Sequence, residues 1–93
     1  MPKSPPEILV VDDDPNYGRM LARTLQQRGH SVALARTGQE ALARAQSRRP
    51  NLILLDIILP GMDGIALHRM LKSRHATRDI PVILITGMGA PGA

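Results

Sequence analysis

The most informative part of the chain is its central stretch, which reads Asn51-Leu52-Ile53-Leu54-Leu55-Asp56-Ile57-Ile58-Leu59-Pro60-Gly61-Met62-Asp63-Gly64. A continuous apolar run that ends in one carboxylate and then a Pro-Gly turn predicts a buried parallel strand. Asp56 would then lie where the strand leaves the sheet, and open α/β sheets bind ligands at that edge. Because a carboxylate inside such a strand costs free energy unless something pairs with it, Asp56 is a candidate functional residue.

The composition predicts one small domain with an aliphatic core. The chain has 93 residues, of which 43% are hydrophobic, with one Tyr and no Phe, Trp or Cys. The lack of aromatic residues removes the stacking surface that single-strand nucleic-acid binders use, and the lack of Cys excludes disulfides and thiolate metal sites. The net charge is +4, but the arginines are scattered and only Arg48-Arg49 are adjacent. We therefore expect solvated helix faces and no direct nucleic-acid partner.

The N-terminal segment and the hydropathy of the sequence bear on where the protein resides in the cell. The N-terminal Met1-Pro2-Lys3-Ser4-Pro5-Pro6 has no apolar signal segment, and no stretch of the sequence is long and apolar enough to span a bilayer. We expect a soluble, cytoplasmic protein without a membrane partner. Residues 1–6 are predicted to be a flexible tail, and residues 7–93 a single domain.

The remaining sequence alternates between strand and helix patterns. The predicted strands are Ile8–Val11, His30–Ala35, the central run, and Ile80–Thr86. Helix starts are predicted at Asp14-Pro15, at the capping box Thr37-Gly38-Gln39-Glu40, and at Asp63-Gly64. The order βαβαβαβ predicts a parallel sheet with right-handed crossovers and helices on both faces.

Polar groups follow three of the predicted strands at the same edge of the sheet. The first strand is followed by Asp12 and Asp13, the third ends in Asp56, and the fourth ends in Thr86. Carboxylates that converge in this way raise each other's pKa unless a cation neutralises them. Mg²⁺ suits such a site because it accepts one or two carboxylates and completes its shell with water and phosphate.

These residues resemble the receiver domain of two-component response regulators. The resemblance rests on Val10-Val11-Asp12-Asp13-Asp14, Asp56 after its apolar run, Leu59-Pro60-Gly61-Met62-Asp63-Gly64, and Ile83-Leu84-Ile85-Thr86. It implies a flavodoxin-like, doubly wound parallel sheet with strand order 2-1-3-4. It covers nearly the whole chain, with the block from Asp56 to Gly64 the most specific part.

The resemblance also implies roles for single residues. Asp56 would be the phospho-acceptor, and Thr86 would hydrogen-bond the attached phosphoryl group. Asp13 would bind Mg²⁺ directly, Asp12 partly through water, and Ile58 through its backbone carbonyl. The phosphoryl group would come from a phosphohistidine on a sensor histidine kinase or a phosphotransfer protein. The domain would be a signalling module and not a turnover enzyme.

The sequence departs from this family after its fourth strand. Receivers of the family continue through a further strand and two helices, and that strand carries a Lys at the phosphoryl site. The only lysines here are Lys3 and Lys72, and neither can take that role. We therefore expect the fifth strand and the last two helices to be absent from this chain, which leaves the fourth strand as an apolar edge. Such an edge favours self-association.

Two other functions remain open from the residues. A degenerate or truncated receiver would bind partners without phosphorylation, which the missing Lys favours. A haloacid-dehalogenase-type phosphate hydrolase also carries an Asp-x-Asp after its first strand, as in Asp12-Asp13-Asp14, and would use Asp12 as nucleophile. The hydrolase would not explain Asp56 with its Pro-Gly turn.

Overall fold

The computed structural model describes residues 7–59 and 62–85. The strands are β1 (Glu7–Val11), β2 (Ser31–Ala35), β3 (Leu52–Asp56), β4 (Ile58–Leu59), β5 (Met62–Asp63) and β6 (Val82–Ile85). The helices are α1 (Pro15–Gln27), α2 (Gly38–Arg48) and α3 (Gly64–Ser73). Among these described residues, none of the helices is long and apolar enough to span a bilayer.

The main sheet has four parallel strands in the order β2-β1-β3-β6. The predicted fold and strand order are thereby confirmed, since β6 is the fourth strand of the prediction. The structure adds an antiparallel pair that was not predicted, formed by β4 and β5, which precede and follow Pro60-Gly61 in the sequence. This pair leads the chain from the end of β3 into α3.

The core lies mainly on one face of the sheet. Buried aliphatic residues of β1 and β3 form one cluster with α2 and α3; they are Leu9, Val11, Ile53, Leu55, Ala41, Ala45, Leu67 and Leu71. Side chains alternate between faces along a strand, so Ile8 and Val10, which are also buried, face the opposite side. There α1 packs, and the ideal Cβ position of Gly18 is 3.6 Å from the Leu34 side chain. The two-sided covering explains why β1 is apolar at every position except its first residue.

Each predicted helix start is confirmed by a capping side chain. Asp14 accepts hydrogen bonds from the N–H groups of Asn16 and Tyr17 at the start of α1. Thr37 accepts one from the Glu40 N–H at the start of α2, at 3.1 Å. Asp63 accepts one from the Ile65 N–H at the start of α3, at 2.9 Å. These caps satisfy N–H groups that the helices cannot bond internally.

The loop from α3 to β6 is held by buried polar contacts. The hydroxyl of Thr77, which is fully buried, donates to the Leu71 carbonyl at 2.6 Å. The ammonium of Lys72 donates to the Ile80 carbonyl at 2.7 Å. Because Ile80 also donates its N–H to the Thr77 carbonyl, it belongs to this loop, and the strand begins two residues later than predicted, at Val82.

Candidate functional site

The acidic residues meet because β1 and β3 are adjacent and in register. Val11 pairs with Leu55, so Asp12 and Asp56, one residue further along each strand, lie level with each other at the carboxyl edge of the sheet. The Asp12 N–H donates to the Ala35 carbonyl at 3.0 Å, which ties the same edge to β2. The pairing of the strands thus places the two carboxylates side by side.

Asp13 completes a cluster of three carboxylates. One carboxylate oxygen each from Asp12, Asp13 and Asp56 lies within 4.8 Å of the other two. Asp12 and Asp56 are half-buried, and Asp13 is exposed. The set offers oxygen ligands to a hard divalent cation from one solvent-facing side.

The Asp12 carboxyl lies in an unfavourable electrostatic environment. Burial raises its pKa above the ordinary value, and the neighbouring charges of Asp56, Asp13 and Asp14 raise it further. A hydrogen bond from the Asp14 N–H to Asp12 Oδ1, at 2.9 Å, opposes this effect. Like charges that are held this close require a cation or a proton.

The loop after Asp56 depends on a glycine. The Gly64 N–H donates to the Ile57 carbonyl at 2.6 Å, which brings the start of α3 against the end of β3. A Cβ atom at Gly64 would lie 2.6 Å from the Asp56 carbonyl oxygen and would also overlap the Ile57 backbone. Ile57 in turn donates its N–H to the Ile85 carbonyl at 2.9 Å. The Asp56 backbone is therefore held from both sides.

The other predicted site residues are Ile58 and Thr86. Ile58 pairs with Asp63 in the antiparallel ribbon directly after Asp56. Asp56 pairs with Ile85 in the register of β3 and β6. Thr86 follows Ile85 and lies outside the described residues, so its predicted role stays a prediction.

Arg36 is also at this edge of the sheet and was overlooked among the scattered arginines. It is the first residue after β2, as Asp12 is the first residue after β1. It lines both a cavity of about 160 Å³ that includes Asp12 and an open groove of about 450 Å³ that includes Asp13. The signal was its position at the carboxyl end of a parallel strand, where ligands of such sheets bind.

Replacing Gly64 with Ala is expected to lower the free energy of unfolding by about 1–3 kcal/mol, because the new methyl group meets backbone that cannot rotate away. Gly18→Ala is the matched control, since its Cβ would meet the Leu34 side chain at an ordinary 3.6 Å from the fourth residue of α1. That control is expected to stabilise the protein by up to about 1 kcal/mol. Urea unfolding followed by circular dichroism measures both. Equal stability of Gly64→Ala and the unchanged protein would contradict the close approach.

Comparison with known proteins gives a family. The family model described as "Response regulator receiver domain" matches residues 8–92. The chain is 45% identical over 85 residues to Response regulator PleD of Caulobacter vibrioides. The matched region covers 91% of this chain and 19% of PleD. It is 42% identical over 79 residues to DNA-binding response regulator MtrA of Mycolicibacterium smegmatis, covering 85% of this chain and 33% of MtrA.

A solved structure agrees with these matches. The chemotaxis response regulator CheY4 of Vibrio cholerae superimposes with a TM-score of 0.85 at 31% identity, covering 94% of this chain and 72% of that one. The chain spans about a fifth of the length of PleD and a third of MtrA. The family model matches more than half of the sequence, over the strands and loops that carry the acidic cluster. The chain therefore belongs to the response regulator receiver domain family.

Proposed function

We propose that this chain is a phospho-accepting signalling domain in which Asp56 takes a phosphoryl group from a phosphohistidine. The donor would be a sensor histidine kinase or a histidine phosphotransfer protein. The observation that carries the proposal is the cluster itself: Asp56 ends β3 within 4.8 Å of two further carboxylates, in a chain of the receiver family. Membership of the family favours this function over the hydrolase alternative.

The transfer would exchange one bond to phosphorus for another. A carboxylate oxygen of Asp56 forms the new P–O bond while the P–N bond of the phosphohistidine breaks. The electron pair of the broken bond stays on the imidazole nitrogen, and an imidazole that carries a proton on its other nitrogen leaves as a neutral ring. Positioning and charge neutralisation are then the main tasks of the protein.

We propose that Mg²⁺ is the cofactor of this site, and the donor set fits it. Asp13 and Asp56 would bind the ion directly, Asp12 partly through water, and Ile58 through its backbone carbonyl. A divalent cation is favoured by the hard oxygen ligands, and by the burial and neighbouring negative charges that raise the pKa of Asp12. When bound, the ion would neutralise carboxylate charge and orient phosphoryl oxygens.

The remaining roles follow from the same proposal. Thr86, which follows β6, would hydrogen-bond the attached phosphoryl group. The chain would act in the cytoplasm as a signalling partner and not as a turnover enzyme. The name of MtrA describes a DNA-binding protein, but the arginines of this chain are distributed over α1, α2, α3 and the segments next to these helices. We therefore propose that these residues make no direct contact with nucleic acid.

Mg²⁺ is expected to raise the free energy of unfolding, by about 1.4 kcal/mol at ten times its dissociation constant, and chelation should reverse the effect. Asp13→Asn should abolish most of this gain because it removes a direct ligand. Asp79→Asn is the matched control. It removes the same charge from an exposed residue that precedes β6, whereas the acidic cluster lies at the carboxyl end of the strands. Thermal unfolding with and without Mg²⁺ measures the difference. The same gain in Asp13→Asn and in Asp79→Asn would contradict the metal site.

Acetyl phosphate with Mg²⁺ is expected to add one phosphoryl group to the chain, which Asp56→Asn should abolish because the amide is no longer a nucleophile. Intact-mass measurement and proteolytic mapping locate the group. Modification that survives Asp56→Asn but disappears in Asp12→Asn would favour the hydrolase. If neither the unchanged protein nor the variants are modified, the degenerate receiver that binds partners without phosphorylation is favoured instead.

We also propose that the chain self-associates through β6. This strand pairs with β3 on one side, and no strand within residues 7–59 and 62–85 pairs with its other side. Ile83 is 51% exposed and Leu84 36% exposed, so the edge is apolar on both faces. An apolar strand edge with unpaired backbone groups favours pairing with another copy.

Ile83→Lys is expected to shift the chain toward monomer, because a charge on an edge strand opposes strand addition. Ile65→Lys, on the exposed face of α3, removes a comparably exposed side chain, 39% exposed, and serves as the matched control. Sedimentation velocity over a range of concentrations measures the association. The proposal would be contradicted if the unchanged protein sedimented as a monomer at every concentration.

A further inference from the structure

Two depressions in the surface adjoin the acidic cluster, and one cation is common to both. A cavity of about 160 Å³ is lined by Asp12, Arg19, Arg36 and Glu40 among others. An open groove of about 450 Å³ is lined by Asp13, Arg36, Thr37 and Glu40. Arg36 therefore borders the space beside both carboxylates, whereas Arg19 borders only one.

The position of Arg36 follows from the sheet register. Val11 pairs with Ala35, so Arg36 leaves β2 level with Asp12. Its backbone is held on the helix side as well, because the Arg36 N–H donates to Glu40 Oε1 at 3.3 Å. Both the strand and the helix cap thus hold the base of this side chain next to the acidic cluster.

The charged end of Arg36 is available. Within residues 7–59 and 62–85, its guanidinium has no hydrogen bond and no ion pair, and the residue is exposed. Glu40 lines both depressions with Arg36, and its Oε1 accepts from the Arg36 backbone N–H and lies 3.7 Å from the Arg44 guanidinium. Among the residues that the structure describes, Arg36 thus presents unused N–H donors beside the site.

A phosphoryl donor meets an electrostatic problem at this site. Three carboxylates within 4.8 Å of one another repel an incoming phosphoryl dianion. A guanidinium at the border of the site opposes that repulsion, and its planar fork matches two phosphoryl oxygens. The only described lysine, Lys72, is engaged with the carbonyls of Arg78 and Ile80 in the loop before β6, so it does not supply this charge.

We propose that Arg36 is a substrate-binding residue that binds the phosphoryl oxygens of the incoming donor before transfer to Asp56. The inference rests on the proposed phospho-acceptor function. Arg36 would recognise the phosphoryl group, which acyl phosphates and phosphohistidine share, and would not recognise the leaving group. Arg36 would thus strengthen donor binding and leave the bond-making step at Asp56 largely unchanged.

The test compares the rates of Asp56 phosphorylation by acetyl phosphate and by phosphoramidate, with Mg²⁺ present. Acetyl phosphate carries a P–O leaving group and phosphoramidate a P–N leaving group, as phosphohistidine does. Arg36→Ala is expected to raise the half-saturating concentration of both donors about three- to fivefold, with little change in the maximal rate constant. Arg36→Lys should recover part of the effect. Raising the ionic strength from about 0.1 M to about 1 M should shrink it, because the screening length falls from about 10 Å to about 3 Å.

Arg28→Ala is the matched control. It removes the same charge from an exposed residue at the far end of α1, which is 13 residues or about 20 Å long. Equal effects of Arg28→Ala and Arg36→Ala would overturn the proposal, since net charge would then be the cause. An effect on one donor only would also overturn it, because recognition would then lie in the leaving group.

The two donors also separate this proposal from the function on which it rests. If the unchanged protein is not modified by either donor, the phospho-acceptor function fails. If Asp56 is modified and Arg36→Ala matches Arg28→Ala, only the role of Arg36 fails.

Discussion

The site depends on two parallel strands, β1 and β3, that end at the same level. Backbone hydrogen bonds fix that level, because Val11 pairs with Leu55 and the next residue of each strand is an aspartate. A slip of one residue would turn Leu55 and Val11 out of the core and separate the carboxylates. Burial of Val11 and Leu55 in the core therefore also fixes the distance between Asp12 and Asp56.

Stability and function oppose each other at this edge of the sheet. Aliphatic burial on both faces holds β1 and β3 together, yet the same burial raises the pKa of Asp12, with the charges of Asp56, Asp13 and Asp14 adding to the effect. Without a cation, the folded chain keeps like charges close together, at a cost in free energy. In our proposals, that cost is the basis of Mg²⁺ binding and of the need for a guanidinium beside the incoming phosphoryl group.

The backbone around Asp56 is held by contacts that involve little side-chain bulk. Gly64 lets the start of α3 approach the Asp56 and Ile57 carbonyls, and Ile57 bonds to the end of β6. Asp63, the residue before Gly64, caps α3 with its side chain and therefore has a structural role. The position of the proposed acceptor is thus coupled to α3 on one side and to β6 on the other.

Much of the fold could be predicted from local patterns. The apolar runs before Asp12 and Asp56 identify interior strands, and the side chains of Asp14, Thr37 and Asp63 mark helix starts, because each of these signals acts over a few neighbouring residues. The β4–β5 ribbon was not predicted, because strands of two residues have no periodicity to detect. The start of β6 was misplaced because Ile80 is buried in the core like a strand residue, although its backbone N–H bonds to the Thr77 carbonyl in the preceding loop.

The sequence by itself determined which residues could form the acidic site, since Asp12, Asp13 and Asp56 each follow an apolar run. Only the tertiary structure decided how close they are, because proximity depends on which strands pair and in what register. The same holds for Arg36, which looks like any surface arginine in the sequence. Its acidic neighbours Asp12 and Asp13, which follow β1, are distant along the chain and meet it only when the sheet has formed.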